Sequence, residues 1–389
     1  MDMPEELSRW VRQAAGKTVL VIGDLILDRY LYGDAERISP EAPVPVLRAV
    51  ERREAVGGSA NVAACLRALG CRVRCCGLVG TDRHGRRLTE LLEAIEADAS
   101  AVMTVSDRPT TAKTRFVGLA QHRHRQQLLR VDEEETEPLD APAMERLIER
   151  ALRAVRDADL ICLEDYDKGV VSEPMVAAVV SVARSAGKPV LVDPARLSDY
   201  RRYAGVDLLT PNRDELSLAV GRRLESVEDV ARAGAELIAR LDVKALVATL
   251  DREGAVLVER DRWRHVPTRP RSVYDNTGAG DAVLAALAAA LAAGAGLDAA
   301  VRLANVAGGL EVEKFGCVPI PAEELLAELR LDDRRRNGKL RSVDEVVAEL
   351  ALRRDRGETI AFTNGCFDLL HAGHVEFLRR CREEASVLV

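Results

Sequence analysis

Short, continuous apolar runs recur along the chain and are separated by longer amphipathic segments. Parallel strands buried on both faces read as such runs, whereas helices show apolar residues three and four apart. Predicted strands cover residues 17–24, 71–80, 159–164, 188–194, 208–212, 245–249 and 255–259, the last pairing antiparallel with 262–266, and predicted helices include 5–15, 86–96 and 138–156. Alternation of this kind over residues 17–320 indicates one doubly wound α/β domain.

Two stretches interrupt this alternation and predict a small β flap. Pro40, Pro43 and Pro45 divide the segment 30–50 into short extended pieces. The segment 110–130 is polar and contains β-branched residues, with an alternating pattern over Thr111, Lys113, Arg115 and Val117. Prolines belong to edge strands rather than to a central sheet, so the first segment is expected to lie outside the core. The second is interpreted as another part of the same flap.

Polar side chains stand where the predicted strands end. They are Asp24, Asp28, Glu164, Asp193, Asn212 and Thr249. Each of the early carboxylates, taken alone, could also be a turn or cap residue. In an open α/β sheet, however, ligands bind at the carboxyl ends of the strands, so this end of the sheet is the predicted active face.

One motif combines small residues with a helix start. Gly278, Ala279 and Gly280 precede an apolar run over 282–293, and Gly294 is suited to end the helix. Unbonded N–H groups at such a start, together with the positive end of the helix dipole, form an anion hole. Asp281 lies at its mouth. The carboxylate either accepts the proton of an attacking hydroxyl or only stabilises the helix start, and the motif leaves these alternatives about even.

A second pair of glycines, Gly57 and Gly58, opens another predicted helix that ends near Gly70. Glycine allows a ligand to approach the backbone closely. Asn61 follows within the first turn and can both donate to and accept from a sugar hydroxyl. The pair is a weak signal alone and gains weight as the second feature of its kind.

Composition excludes several classes of protein. Aromatic residues make up 3% of the 389 residues, and the net charge is −7 with arginines interleaved among acids. These values argue against nucleic-acid and membrane-surface partners. The eight cysteines form no metal-binding spacing and are expected to be reduced thiols, four of them crowded between positions 65 and 76. With no signal segment or membrane span apparent, the predicted location is the cytoplasm.

Residues 326–389 carry a separate pattern. A charged linker is predicted over 326–341 and a capped helix over 342–356. A strand then leads to Gly365, and His371 and His374 stand at the start of a helix over 374–384. Imidazoles at a helix N-terminus suit nucleotide phosphates, with a metal pair as the alternative. The sequence ends as the next strand begins, so residues 342–389 are interpreted as part of a truncated nucleotidyltransferase domain.

The motifs together resemble those of ribokinase-type sugar kinases. The resemblance rests on Gly57-Gly58 with Asn61, on Asn212 to Glu215, and on Asp275 to Asp281 in that order. It implies a kinase domain over 1–325 that uses ATP and Mg²⁺, with a monovalent cation as a further candidate cofactor. Asp281 would be the base, and Gly278, Ala279 and Gly280 the anion hole. Residues implied to bind sugar are Asp24, Asp28, Gly57, Gly58 and Asn61. Those implied near nucleotide are Asn212, Glu215 (also organising Mg²⁺ indirectly), Thr249, Asp275, Thr277 and Asn305.

Further segments resemble the subgroup that phosphorylates the anomeric hydroxyl of D-glycero-β-D-manno-heptose 7-phosphate, a lipopolysaccharide precursor. They begin at Gly23, Arg37, Gln126 and Asp165. A substrate that carries a phosphate needs a cationic pocket, for which Lys113, Arg115, Arg130 and Lys168 are candidates, with Asp165 beside them. The tail resembles the start of the adenylyltransferase fused to that kinase, but no adenylyltransferase activity is expected of this chain. The resemblance also implies a flap-mediated homodimer.

Three rival functions remain open. The chain could be a ribokinase-fold kinase for another sugar, sugar phosphate or nucleoside. It could be a silent sugar- or nucleotide-binding protein, although Asp281 and the glycines are present. The third rival is a nucleotidyltransferase alone, based on the tail.

Overall fold

The computed structural model describes residues 3–119, 125–269, 277–337, 343–355 and 357–389. The chain divides into two compact units, Met1–Leu329 and Arg330–Val389. The strands are β1 (Thr18–Gly23), β2 (Leu25–Ile38), β3 (Pro45–Gly58), β4 (Arg72–Cys76), β5 (Leu78–Gly80), β6 (Met103–Val105), β7 (Ala112–Gly118), β8 (Gln126–Glu133), β9 (Leu160–Glu164), β10 (Val190–Asp193), β11 (Leu208–Leu209), β12 (Ala245–Thr249), β13 (Ala255–Glu259), β14 (Trp263–Val266), β15 (Ile360–Ala361) and β16 (Val387–Leu388).

The α-helices are α1 (Met3–Ala14), α2 (Ser59–Ala68), α3 (Arg83–Ala94), α4 (Ala141–Val155), α5 (Glu173–Ser185), α6 (Arg213–Val220), α7 (Val227–Leu241), α8 (Ala279–Ala292), α9 (Leu297–Glu311), α10 (Ala322–Asn337), α11 (Val343–Asp355) and α12 (Ala372–Glu383). Two short 3₁₀ helices cover Arg201–Tyr203 and Asp251–Glu253.

The main sheet of the first unit has the order β14-β13-β12-β11-β10-β9-β1-β4 within the described residues. Strand β1 pairs in parallel with both β4 and β9, so that Val19 lies opposite Val73 and Leu160. Within this sheet, β4, β1, β9, β10, β11 and β12 are parallel, whereas β13 and β14 are antiparallel. The predicted doubly wound sheet and its antiparallel end are confirmed.

Both faces of this sheet are covered, which explains the continuous apolar runs. In β1, Val19 and Val21 pack into one core, and Leu20 and Ile22 pack into the other. The first core is built with helices α1, α2, α3, α8 and α9, and the second with α4 to α7. A strand between two apolar layers has no face for polar residues, so its polar side chains collect at its ends.

The predicted flap is a separate four-stranded sheet of order β3-β2-β7-β8. It is longer than predicted, because β2 starts at Leu25, directly after Asp24, and β3 continues to Gly58. Because Leu25 pairs with Gly58, the active face and helix α2 both join the flap at this one end. Every residue of β8 is exposed.

The second unit contains the parallel pair β15–β16 and helices α11 and α12. The region predicted as a linker, 326–341, is helical as far as Asn337, since α10 continues through it. Its Leu, Glu and Arg residues are good helix formers, which the charge pattern alone did not reveal. The assignment of 342–389 to a nucleotidyltransferase domain stays a prediction. Across the described residues, each helix is too short or too polar to span a bilayer.

Candidate active site

The carboxyl ends of β1, β9 and β10 bring the predicted polar residues to one edge of the main sheet. A cavity of about 400 Å³ opens there, between these strand ends and the start of helix α8. Its lining includes Glu164, Asp165, Tyr166, Asp193, Arg196, Thr210, Asn212, Glu215, Thr249, Gly278, Gly280 and Asp281. The late glycine motif and the strand-end carboxylates therefore share one cavity.

The start of α8 has the backbone geometry of an anion hole. Its N-cap, Gly278, has φ of 94° and offers no side-chain cap to the first N–H groups. A Cβ atom at this position would lie 2.9 Å from Glu311 Oε1 and 3.2 Å from Asn61 Nδ2. At Gly280, by contrast, the nearest atom would be Asp193 Oδ2 at 3.7 Å. Gly278 is thus required by φ and by space, whereas Gly280 keeps the cavity open above the amides.

Asp281 lies in the first turn of α8 and is 5% exposed. Its Oδ2 accepts a hydrogen bond from Asn61 Nδ2 at 2.6 Å, and its Oδ1 accepts one from the Tyr166 hydroxyl at 3.1 Å. Burial raises the pKa of Asp281 to about 6, although the two hydrogen bonds partly oppose the rise. A carboxyl with that pKa is mostly ionised at neutral pH and can accept a proton in a transition state.

Asp24 and Asp28 bind neighbouring parts of the protein around the site. Asp24 accepts hydrogen bonds from the backbone N–H groups of Tyr166, Lys168 and Val170 at 2.9, 3.1 and 3.3 Å. Burial raises the pKa of Asp24 to about 6. Both of its oxygens thus bind the loop after β9, a role that the sugar-binding prediction did not include. Asp28 is buried and pairs with Arg115.

The early glycines are required by close packing against these residues. A Cβ at Gly57 would lie 2.5 Å from Asp28 Oδ2. At Gly58, where φ is 56°, it would lie 2.5 Å from the Asp24 carbonyl oxygen. Both glycines therefore allow β3 to close over the start of β2, which sets α2 and its Asn61 beside Asp281.

The candidate cations are divided between two places. Lys113 Nζ lies 4.9 Å from the centroid of the Tyr166 ring, and burial lowers the pKa of this lysine. Arg115 on β7 lies opposite Arg130 on β8, and Arg130 Nε also contacts Asp132 Oδ1 at 2.9 Å. Lys168 points elsewhere, since its Nζ contacts Glu134 Oε1 at 2.9 Å. Lys113, Arg115 and Arg130 are the cations grouped with Asp28.

The carboxylate oxygens of Asp165 accept hydrogen bonds from other residues of the protein. Its Oδ2 accepts hydrogen bonds from the Tyr203 hydroxyl at 2.6 Å and from Arg202 at 3.1 Å, and its Oδ1 accepts one from the Asp167 N–H. These hydrogen bonds give Asp165 a supporting role for the loop after β9, and its predicted sugar contact stays a prediction.

On the nucleotide side, Asn212 and Glu215 form the capping box of α6. Asn212 Oδ1 accepts from the Glu215 N–H at 2.9 Å, and Glu215 Oε2 accepts from the Asn212 N–H at 2.8 Å. Thr249 lies beside Asn212 through a bridge between β12 and this loop. The capping box leaves one carboxylate oxygen of Glu215 available to the cavity.

Three further residues, Asn305, Thr277 and Asp275, were predicted to lie near the nucleotide. Asn305 donates to the Val266 carbonyl at 2.7 Å and is absent from the cavity lining. Thr277 precedes the N-cap of α8. Asp275 lies outside the described residues, so its predicted role stays a prediction.

The chemistry of the cavity fits Mg²⁺ bound together with phosphate. Glu164 Oε2 is buried without a hydrogen-bond partner in the described part of the chain. Burial raises the pKa of Glu164 and of Asp193. Repulsion from Asp193 adds to the rise at Glu164, and repulsion from Glu215 adds to the rise at Asp193. In the same described ranges, no three His, Cys, Asp or Glu side chains are arranged to hold a metal by themselves. Since Mg²⁺ keeps waters and binds through one or two carboxylates plus phosphates, this sparse set suits it.

The tail histidines lie in the second unit. His371 is the N-cap of α12, and its Nδ1 accepts from the Gly373 N–H at 3.2 Å. The rings of His371 and His374 stack with centroids 3.8 Å apart. The predicted helix start is confirmed, and a ligand for it stays a prediction.

Sequence reasoning missed Tyr166 and Arg196 as lining residues. Tyr166 stands beside the strand-end acids that drew attention, but a lone tyrosine in a loop gives no pattern to detect. Glu164 and Asp193 were noticed as strand-end residues without a role. Arg196 is the cation of the described cavity lining, and its position after β10 is the same strand-end signal.

Comparison with known proteins gives the family. Residues 17–324 match the family described as pfkB family carbohydrate kinase. Bifunctional protein HldE of Mesorhizobium japonicum is 41% identical over 392 residues, which cover 99% of this chain and 77% of that protein. Bifunctional protein HldE of Geobacter metallireducens is 42% identical over 371 residues, which cover 95% and 74%.

Two solved structures share the fold. Arabidopsis thaliana ribokinase complexed with ribose and ATP is 23% identical with a TM-score of 0.63, covering 81% of this chain and 99% of that one. Phosphofructokinase-2 from Escherichia coli in complex with potassium is 23% identical with a TM-score of 0.67 and the same coverage. The ribokinase-like fold and the resemblance to sugar kinases are thereby confirmed. The chain belongs to the pfkB family of carbohydrate kinases.

Proposed function

We propose that this chain transfers the γ-phosphoryl group of ATP to the anomeric hydroxyl of D-glycero-β-D-manno-heptose 7-phosphate, giving the 1,7-bisphosphate. The observation that carries the proposal is Asp281, buried in the first turn of α8 and joined to Asn61 from the flap side. The family match and the HldE relatives, which align over nearly the whole chain, support sugar phosphorylation. The cytoplasm remains the proposed location.

In this mechanism Asp281 accepts the proton as the O–H bond of the sugar breaks. The sugar oxygen forms a bond to the γ-phosphorus, and the bond from that phosphorus to the β–γ bridging oxygen breaks, releasing ADP. The N–H groups at residues 278–281 stabilise the negative charge on the transferring phosphoryl oxygens. These amides are fixed by the helix before substrate binds, so their dipoles need no reorganisation.

The acidic cavity bears on nucleotide binding. Glu164, Asp193 and Glu215 are the residues that would hold Mg²⁺, directly or through water. When bound with ATP, Mg²⁺ neutralises charge on the β- and γ-phosphates. Arg196 adds a guanidinium to a lining that is otherwise dominated by carboxylates, and we assign it to the phosphate chain.

The substrate's own phosphate requires cations on the sugar side. Lys113, Arg115 and Arg130 lie on neighbouring flap strands, close to Asp28. Arg115 is already paired with Asp28, which leaves Lys113 as the cation best able to meet a new anion. A phosphate on the substrate would give this desolvated lysine an anion to pair with, which favours a phosphorylated substrate over a neutral one.

The test is a substrate panel with ATP. Purified chain is given heptose 7-phosphate, fructose 6-phosphate, ribose and a nucleoside, and ADP release is followed at several concentrations. The proposal predicts the highest kcat/KM for heptose 7-phosphate, with phosphorus NMR showing a new anomeric phosphate. A higher kcat/KM for another acceptor would replace the proposed substrate, and no transfer to any acceptor would favour a binding protein.

We also propose that the chain is a homodimer joined through the flap. Ile38, Val50 and Leu129 are 72%, 62% and 57% exposed on this sheet. Val50 and Leu129 lie on the edge strands β3 and β8, where exposed apolar groups favour contact with another protein surface. The variant Leu129→Glu should halve the mass measured by light scattering, whereas Trp263→Glu, at an exposed tryptophan of the main sheet, should leave it unchanged. A monomeric wild-type chain would contradict the proposal.

A further inference from the structure

The two oxygens of the Asp281 carboxylate have unlike partners. Oδ2 accepts from an amide nitrogen of Asn61 at 2.6 Å, and Oδ1 accepts from the phenol of Tyr166 at 3.1 Å. One of these oxygens must take the proton from the sugar. Asn61 and Tyr166 differ in whether they can keep a hydrogen bond to an oxygen of Asp281 that has taken up a proton.

Asn61 can only donate to Oδ2. Its NH₂ group has no lone pair to offer a carboxylic acid proton, and its carbonyl oxygen would repel the ionised carboxylate if the amide were turned round. Asn61 is also buried, and Gly278 packs closely against its amide nitrogen. A proton placed on Oδ2 would therefore break the shorter of the two hydrogen bonds of Asp281.

Tyr166 can reverse its role, because a hydroxyl both donates and accepts. In the described part of the chain its hydroxyl makes one hydrogen bond, the one to Asp281. A rotation about the C–O bond would turn it from donor to acceptor without moving the ring. The side of Asp281 that faces Tyr166 can thus be protonated without loss of a partner.

The ring of Tyr166 is held in place from two directions. Its backbone N–H donates to Asp24 Oδ2 at 2.9 Å, and Lys113 Nζ lies 4.9 Å from the ring centroid. A phenol has an ordinary pKa of about 10, so the hydroxyl carries its proton at neutral pH. The phenol is therefore a fixed, neutral group that can switch between donating and accepting.

We infer that the sugar proton is delivered to Oδ1 of Asp281 and that Tyr166 is the positioning residue for this oxygen. Before transfer the hydroxyl donates to the carboxylate. As the sugar O–H bond breaks and the proton binds Oδ1, the hydroxyl turns and accepts from the new acid, while Asn61 keeps its bond to Oδ2. This inference rests on the proposed function of Asp281 as the base.

The test is the pH dependence of kcat/KM. The base works ionised, so activity rises with pH through the pKa of Asp281, about 6. The Tyr166 hydrogen bond stabilises the anion and opposes the rise of that pKa. Tyr166→Phe should therefore move the acid limb to higher pH and lower the plateau about tenfold, with the KM for ATP unchanged.

Two further variants are measured beside Tyr166→Phe. Replacing Tyr166 by 3-fluorotyrosine, a stronger donor of the same shape, should move the acid limb to lower pH. Tyr203→Phe removes a phenol that donates to Asp165 in the same loop region, and it should leave the limb in place. A limb that does not respond at Tyr166, or that moves equally in Tyr203→Phe, would overturn the inference. Failure of the proposed function would differ, since the wild-type chain itself would then transfer no phosphate to a sugar.

Discussion

The chain carries two helix N-termini that sequence patterns marked as phosphate sites, and the structure treats them differently. Helix α8 begins at Gly278 without a side-chain cap, and most of its residues are buried. Helix α12 begins at His371, whose own imidazole accepts a helix N–H, and none of its residues is buried. The first helix start is open toward a cavity, and the second is capped by its own side chain.

The starts of α8 and α12 differ in whether side chains from other elements of the fold meet there. Around α8, Asn61 from α2 and Tyr166 from the loop after β9 reach the same carboxylate. Around α12, the described contacts of the His371 and His374 side chains are with each other, with Gly373 and with Phe367. A helix dipole alone attracts anions weakly and is screened in water. Catalysis needs additional groups fixed around the reacting atoms.

Of the variants that compare the two helix starts, Gly278→Ala should have the largest effect on kcat/KM. The added Cβ would lie 2.9 Å from Glu311 Oε1, at a residue whose φ of 94° already disfavours a side chain. Displacing these amides should lower kcat/KM about 10²–10³-fold, as for loss of an oxyanion-hole donor.

Gly294→Ala is its matched control at the other end of the same helix. Its φ is 93°, but the nearest atom to an added Cβ is 4.0 Å away. Both variants should lower the melting temperature, and only Gly278→Ala should lower kcat/KM. Equal losses of activity in the two would mean that backbone strain, and not the anion hole, explains the result.

A smaller effect is expected for Lys113→Gln, which tests the sugar side of the α8 site. Loss of a contact between this ammonium and a phosphate should raise the KM for the sugar phosphate roughly 10–100-fold, the equivalent of about 1.5–3 kcal/mol. The KM for ATP should not change. Lys244→Gln, at an exposed lysine paired with Asp207, is the control. A rise in the KM for ATP instead would assign Lys113 to the nucleotide.

The smallest effect is expected at α12. Replacing His371 and His374 together by Ala should leave the kcat/KM of sugar phosphorylation unchanged, because the proposed reaction uses none of the second unit's residues. Initial rates at subsaturating sugar phosphate measure this directly. A clear fall in rate would require a role for the second unit in the kinase reaction.

Both helix starts could be predicted from the sequence, but most of the difference between them could not. Strand-end acids such as Asp24 and Asp193 follow from the pattern of a doubly wound sheet, which collects them at one edge. Asn61 and Asp281 are 220 positions apart, so their hydrogen bond depends on how β2, β3 and α2 fold back over β1. The roles of Asp24 and Asp165 also required structure, because loop N–H groups and the Tyr203 phenol occupy their oxygens.

The most direct test of the account is Asp281→Asn, a replacement of the same size that cannot act as a base. With ATP and heptose 7-phosphate saturating, kcat should fall about 10²–10⁴-fold. Equilibrium binding of ATP should persist, because the amides at 278–280 remain in place. Phosphoryl transfer that survives within about tenfold of the wild-type rate would contradict the assignment of Asp281 as the base.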